Sequence, residues 1–449
     1  MAVTPRILYE DNHLLVVEKP VNLPVQADSS GDADLLSILK AYIKEKYQKP
    51  GDVYLGLCHR LDRPVGGVMV FARTSKAAER LTAQFASRQA HKRYAAVVEG
   101  GPPQRAALTD YIRGTDSVRR AEVLPSPAEG AKPARLAFRA MAGAGGYTLL
   151  DIDLYTGRKH QIRAQLAAHG WPIRFDQRYN PRPESGQIAL WAYALAFEHP
   201  TRKERMEFFS PPRGEAFAPF GVPLAALPVR EYCDAVYADE RLLVVAKRAG
   251  VEVSRADAGE ESLEARLSPY FGALYPVHRL DANTEGLLLF ARTEKAQETL
   301  LCAMKEQRIE KYYRAAVLGR MEQKEGVLSA WAAKDAEKGM LRVYASERPG
   351  AVPIRTGYRV LSESGGRTLL EVRLYTGRTH QIRAHLAFLG HPVLGDDKYG
   401  DRAANRAAGL KRQALLSYRI VLHEPAESPL AYLDGRAFVC PWELGDGSC

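Results

Sequence analysis

An α+β domain of about 220 residues, present twice in tandem, is the fold class that this sequence predicts. Three observations predict it: a pair of repeated motifs, their constant spacing, and an irregular alternation of strand and helix patterns. His59-Arg60-Leu61-Asp62 returns as His278-Arg279-Leu280-Asp281, and the apolar run Gly67 to Thr74 behind the first copy returns as Gly286 to Thr293, both at an offset of 219. Leu154-Tyr155-Thr156-Gly157-Arg158-Lys159-His160-Gln161-Ile162-Arg163 returns as Leu374-Tyr375-Thr376-Gly377-Arg378-Thr379-His380-Gln381-Ile382-Arg383 at an offset of 220. Between them, Lys92-Arg93-Tyr94 aligns with Lys311-Tyr312-Tyr313, and near the start Leu14 to Lys19 aligns with Leu242 to Lys247. A repeat this long is far beyond the roughly 20–50 residues of solenoids and propellers, so each copy is expected to build its own core.

The elements follow in order. Leu14 to Glu18 and Gly67 to Arg73 are short apolar runs rich in β-branched and aromatic residues, which predicts buried strands. A helix is expected after each second strand. Ala78, Leu81 and Phe85 recur at helical spacing behind a Thr74 N-cap, and Ala296, Leu300 and Met304 do so behind Thr293. His160 to His169 predicts a further helix stopped by Gly170, repeated from His380 to Leu389 with Gly390. Between the copies, residues 214–230 carry Pro219, Pro223 and Pro228 with Gly214 and Gly221, a composition that disfavours helix and central strand. The expected organisation is a first domain at 1–213, a semi-extended proline-rich linker at 214–230 and a second domain at 231–449.

Composition excludes several classes. With 46% hydrophobic and 26% charged residues the chain suits a folded protein rather than a disordered one. No apolar run approaches the ~18 residues needed to span a bilayer, and Glu10 and Asp11 stand where a secretory signal would be basic. A cytoplasmic protein without membrane association is expected, acting as a monomer. Five cysteines without a Cys-x-x-Cys spacing argue against a disulfide framework and a structural zinc site. The histidine spacings fit no zinc pair, and neither a P-loop, a dinucleotide fingerprint nor a Gly-x-Ser-x-Gly elbow occurs, so no metal and no cofactor is expected. The net charge of +10 is compatible with a polyanionic partner.

The repeated polar residues carry the chemistry. Asp62 and Asp281 are the only carboxylates in the His-Arg-Leu-Asp blocks, each placed just before an expected buried strand. One reading makes each a turn aspartate paired with its neighbouring arginine. The other makes each a functional carboxylate, because Arg163 and Arg383, a turn into the His-Gln-Ile-Arg helices, could reach back and hold it ionised. An ionised carboxylate in a dry pocket serves as nucleophile or base. Tyr94 and Tyr313 offer an aromatic face, and the cations around them (Lys92, Arg93, Lys311, Arg314) suggest a stacking platform beside a phosphate-binding surface.

These motifs resemble the RluA family of pseudouridine synthases, over nearly all of residues 7–213 and most of 232–425. The resemblance implies the pseudouridine-synthase fold, a mixed and largely antiparallel sheet flanked by helices, and isomerisation of uridine to pseudouridine in structured RNA, ribosomal or transfer. It implies that Asp62 and Asp281 are the catalytic aspartates and that Arg60 and Arg279 fill the space left by the flipped base. Tyr94 and Tyr313 would stack on that base, Arg163 and Arg383 would pair with the aspartates, and Lys92 and Lys311 would lie on the RNA-binding side. Activity is expected at both domains, the alternative being one catalytic domain and one that only binds RNA.

The copies depart from the family pattern in different places. Gly390 to Gly400 is close to family form, whereas Gly170 to Asn180 is not; the first copy keeps His199-Pro200-Thr201 where the second has His423-Glu424-Pro425. Family members often carry an N-terminal S4 domain, and this chain is expected to start directly at the catalytic fold, its second domain standing where accessory RNA contacts would arise. Two rival functions remain: an RNA-binding protein on a decayed synthase fold, and a carboxylate-dependent glycosidase, which would need two acids across the bond where each motif offers one.

Overall fold

The computed structural model describes residues 5–28, 31–114, 120–335, 339–407, 409–410 and 412–444. The chain divides into two compact units, Met1–Leu224 and Ala225–Cys449. Each unit is built on one mixed sheet with helices against it.

In the first unit β1 (Arg6–Glu10) and β2 (Leu14–Lys19) precede α1 (Leu35–Lys46), followed by the two-residue β3 (Gly56–Leu57), β4 (Gly66–Ala72) and α2 (Ser75–Ala86). Next come β5 (His91–Glu99), β6 (Arg105–Gly114), β7 (Ala121–Leu124), β8 (Lys132–Ala144) and β9 (Tyr147–Leu154). The unit closes with α3 (Gln161–Ala168), β10 (Leu190–Glu198) and β11 (Arg205–Phe209). Among the described residues the sheet runs β1-β2-β4-β10-β5-β9-β8-β6-β7, with β11 on β10 and β3 on β4. Among the described residues of this unit only the β4–β10 pairing is parallel. The second unit repeats this order strand for strand, its parallel pair being Glu285–Ala291 with Leu415–Leu422.

β2 and β4 are buried along their whole lengths, which is why they read as unbroken apolar runs rather than alternating ones. One face of β2, β4 and β10 supplies Leu14, Val16, Val68, Val70, Leu195 and Phe197 to a core closed by Ala77 and Leu81 of α2. That helix is capped as the sequence implies, the Thr74 hydroxyl accepting from the Ala77 amide at 3.2 Å, and Thr293 caps Glu294–Lys305 identically. Its buried stripe is Ala77, Leu81 and Gln84, one residue round from the expected Ala78 and Phe85, which are only partly buried. Gly67 stands at φ +127 with a would-be Cβ 2.1 Å from the Ala192 carbonyl, and Gly286 repeats the approach against Ser417, so glycine is required where the parallel pair meets.

The stretch expected to be a semi-extended linker is helical. Glu215–Phe220 and Leu227–Val229 form 3₁₀ turns around the short helix Gly221–Ala225. Pro223 and Pro228 fall in the first turns of their helices, and Phe217, Phe220, Leu227 and Val229 are buried, so apolar burial overrides a composition that reads as loop. The units part at 224/225, inside that segment.

Candidate active site

The His-Arg-Leu-Asp motif is a loop between β3 and β4 whose histidine is structural. His59 Nε2 accepts from the Val70 amide at 3.1 Å, and His278 Nε2 accepts from Leu289 at 3.2 Å. Each imidazole therefore satisfies a backbone donor in the middle of a core strand. Burial pushes both down to about 3, helped by the nearby charge of Lys92 or Lys311, so both are neutral at physiological pH.

A buried lysine fixes the far end of the loop. Lys19, wholly inaccessible at the end of β2, donates to the Arg63 carbonyl at 3.0 Å and to Pro20 at 2.8 Å; Lys247 donates to Ala282 at 2.7 Å, Val251 at 2.9 Å and Arg248 at 2.9 Å. The residue clamped is in each copy the one directly after the aspartate. Burial lowers both ammonium groups to about 7, and the aspartate's charge partly offsets that shift.

The second repeated motif is a turn that folds on its own glutamine. Thr156 Oγ1 donates to Gln161 Oε1 at 2.8 Å, the Arg158 amide donates to the same oxygen at 3.0 Å, and Gln161 Nε2 donates to the Arg135 carbonyl. Gln381 makes the corresponding bonds to Thr376, Arg378 and Arg355. His160 and His380 then enter the helix at φ +56 and +60, a left-handed conformation that costs energy in any residue with a Cβ and is kept in both copies.

That entry aims α3 so that Arg163 meets Asp62. Nη1 donates to Asp62 Oδ2 at 3.1 Å, and Arg383 Nη1 donates to Asp281 Oδ2 at 2.7 Å. The rest of each guanidinium has a partner that the sequence did not suggest. Arg163 grips the inaccessible Asp176 through Nε at 2.9 Å and Nη2 at 2.7 Å, and Arg383 grips Asp396 at 2.7 and 2.8 Å. Burial disfavours the arginine charge, but the two carboxylates outweigh it and hold the group more firmly protonated than usual. His160 also faces the aspartate, with Nε2 at 4.0 Å from Asp62 Oδ2 and Nδ1 at 2.9 Å from the Tyr179 hydroxyl, which itself accepts from the Ala121 amide. His380, Tyr399 and Leu341 repeat the set. Burial holds His160 down at about 4 and lowers His380 too, so each aspartate faces a neutral imidazole and a fixed cation.

Tyr94 and Tyr313 project from the central strand of each sheet and are 7% and 5% exposed. Burial first, and the charge of Asp62 or Asp281 second, push both phenols up, so each keeps its proton. The cations around them are not a single basic surface. Strand alternation puts Lys92 and Tyr94 on one face of β5 and Arg93 on the other, where Arg93 pairs with Asp153 at 3.6 Å and Glu207 at 3.4 Å. Arg314 likewise pairs with Glu443 and lies over the Tyr418 ring. Lys92 and Lys311 sit beneath the turns at Gly157 and Gly377, where a Cβ would come within 3.2 and 3.4 Å of the amino nitrogen, and burial lowers both to about 8. Lys92 lines the pocket of the first unit, and Lys311 is placed alike beneath its own turn.

In the first unit Arg60, Asp62, Lys92, Tyr94, His160 and Arg163 line a cavity of about 1320 Å³. That exceeds the ~300–1,000 Å³ of small-molecule sites and suits a nucleotide with its neighbours. Arg60 is exposed at its edge. Among the described residues no three His, Cys, Asp or Glu side chains are grouped to hold a metal, and no helix is long and apolar enough to cross a membrane.

Comparison with known proteins agrees with the duplicated geometry. A profile of the family described as RNA pseudouridylate synthase matches residues 13–168 and again 241–388. Ribosomal large subunit pseudouridine synthase C of Vibrio cholerae is 34% identical over 216 residues, covering 46% of this chain and 67% of that protein. Dual-specificity RNA pseudouridine synthase RluA of Pasteurella multocida is 32% identical over 199 residues, 44% of this chain and 86% of that protein. Several other relatives are matched over less than two thirds of their length, as with 58% of ribosomal large subunit pseudouridine synthase D of Nitrosomonas europaea. The solved human RNA pseudouridylate synthase domain containing 1 has a TM-score of 0.40 at 25% identity, over 47% of this chain and 84% of that one. Matched by one family profile in both halves, the chain belongs to the RNA pseudouridylate synthase family.

Proposed function

We propose that both units isomerise uridine to pseudouridine in structured RNA, ribosomal or transfer, with Asp62 and Asp281 as the catalytic carboxylates. The observation that carries this reading is the arginine bridge in each copy, which ties the motif aspartate to a second, buried aspartate at hydrogen-bond distance. Breaking and remaking a glycosidic bond on one base requires a flipped nucleotide, at a cost of about a few kcal/mol, and a site that excludes water while the base is detached. Arg163 and Arg383 set a guanidinium against the carboxylate and fix its direction, which serves a nucleophile and a proton-abstracting base alike. The protonated Tyr94 and Tyr313 provide a ring for stacking and an O–H that donates; neither acts as a base at neutral pH. Arg60 and Arg279 occupy the place of the extruded base, and Lys92 and Lys311 approach the nucleotide from below. The protein works as a cytoplasmic monomer.

A second reading, in which the second unit only binds RNA, is favoured by one observation: Arg279 is engaged by Asp257 at 3.2 Å. Release of tritium from uracil C5 tests the catalytic assignment. The full chain should release it from labelled RNA, and the double variant Asp62→Asn with Asp281→Asn should release none; a double variant as active as the parent rejects the catalytic assignment.

A further inference from the structure

The inner machinery of the two sites corresponds residue by residue and bond by bond, but the rims do not. Arg88, exposed behind α2 in a left-handed turn at φ +64, lines the first cavity; its counterpart at the same left-handed turn is Gln307, at φ +58. Lys159, exposed on the turn before α3, lines the same cavity and is replaced by Thr379. Gln177, which donates to the Glu184 carbonyl, is replaced by Asp397, an exposed carboxylate 3.5 Å from Arg383. The motif arginine differs in the same sense, because Arg279 spends part of its charge on Asp257. Two rim cations are lost, one carboxylate is gained and a third cation is partly neutralised.

We infer that the first unit carries the phosphate-gripping rim of this protein, and that the second unit engages its RNA with far weaker contact to the backbone. The inference rests on RNA being the substrate of both sites. A nucleic-acid backbone recruits exposed Arg and Lys through release of condensed counterions, each neutralised phosphate adding about 0.7–0.9 to the slope of log affinity against log salt. A rim with Arg88 and Lys159 and no Asp397 gains that term. A rim with Gln307, Thr379 and Asp397 lacks two such contacts and repels a third phosphate.

The test removes equal charge from each rim of the full chain. One variant carries Arg88→Gln with Lys159→Thr; the other carries Arg378→Gln with Lys398→Gln, all four side chains being exposed. Binding is followed by the anisotropy of a fluorescein-labelled RNA stem-loop with an all-uridine loop, across a potassium chloride series. The first variant should lose roughly tenfold or more in affinity at moderate salt, with a slope shallower by about 1.5. The second should lose less than twofold with an unaltered slope. Equal losses in the two variants, or a loss under twofold in the first, overturn the unequal-rim inference. Because binding is read directly, that outcome is distinct from failure of the catalytic reading, which would appear as absence of pseudouridine with the binding pattern intact.

Discussion

The two sites of this chain differ at their edges and agree at their centres, and the division follows physical necessity. In both copies a partly buried carboxylate is held by a fixed cation, that cation is held by its own buried partner, and the helix bearing it has a left-handed entry. Arg163 with Asp62 and Asp176, and Arg383 with Asp281 and Asp396, therefore keep the same bonds to within a few tenths of an ångström. No such constraint acts on the rim. Arg88, Lys159 and Gln177 are exposed, and each has been replaced in the second copy.

The largest effect that would break this equivalence at the centre comes from the arginines. Arg163→Ala leaves Asp176 buried without a cation, and Arg383→Ala does the same to Asp396, so each should cost about 3–5 kcal/mol of unfolding free energy in its own unit. Arg163→Lys and Arg383→Lys keep charge but lose the two-pronged grip, and should fold while lowering the single-turnover rate at saturating RNA. Urea denaturation and rapid-quench kinetics read the two effects. An Ala variant of undiminished stability in one unit would mean that the centres are not equivalent.

The neutral histidines give the next effect. His59 and His278 are held at about 3 when folded and return to the ordinary ~6.5 when unfolded. A depressed folded value means stability that is complete above the unfolded value and is lost as pH falls from about 6.5 towards 3. Each unit should lose about 2 kcal/mol between pH 7 and pH 5 through this group. His59→Gln and His278→Gln should flatten the pH dependence of the urea midpoint for one unit each; an unchanged slope in both would contradict the neutral-acceptor role.

Stacking comes third. Tyr94→Phe and Tyr313→Phe keep the ring and should retain most activity in their unit, whereas Tyr→Leu should cost ~1–3 kcal/mol of base stacking, seen as a raised half-saturating RNA concentration. A phenylalanine variant as poor as the leucine one would shift the essential role to the hydroxyl. The smallest effect belongs to the rim: Asp257→Asn frees Arg279 from an exposed pair worth no more than about 1 kcal/mol, so RNA affinity at the second unit should rise by at most a few-fold. A decrease would show that the pair orders Arg279 for its task.

Much of the centre could be read from the chain because duplication acts as its own control. A residue kept at an offset of 219 or 220 in otherwise divergent sequence marks a constraint, and that found Asp62, Tyr94, Arg163 and their counterparts. The same signal was present at Asp176 and Tyr179, which return as Asp396 and Tyr399, but the surrounding stretch differs so much that the identities inside it were passed over. Lys19 was hidden differently: it closes an apolar strand, where a lysine reads as a solvent-facing end, and only the fold shows carbonyls converging on it. Lys92, Arg93 and Arg314 look alike as cations in sequence, and the face of the strand alone sorts pocket from ion pair. Residues 214–230 read as a linker because proline outweighed Phe217 and Phe220 in the composition.

The central claim is that one chain holds two working sites. Asp62→Asn and Asp281→Asn, made singly in the full chain and supplied in place of the parent in cells, should each remove a different set of pseudouridines when cellular RNA is mapped at nucleotide resolution. If either single variant leaves every pseudouridine at its normal level, the unit that carries it is not a synthase and the two-site account is wrong.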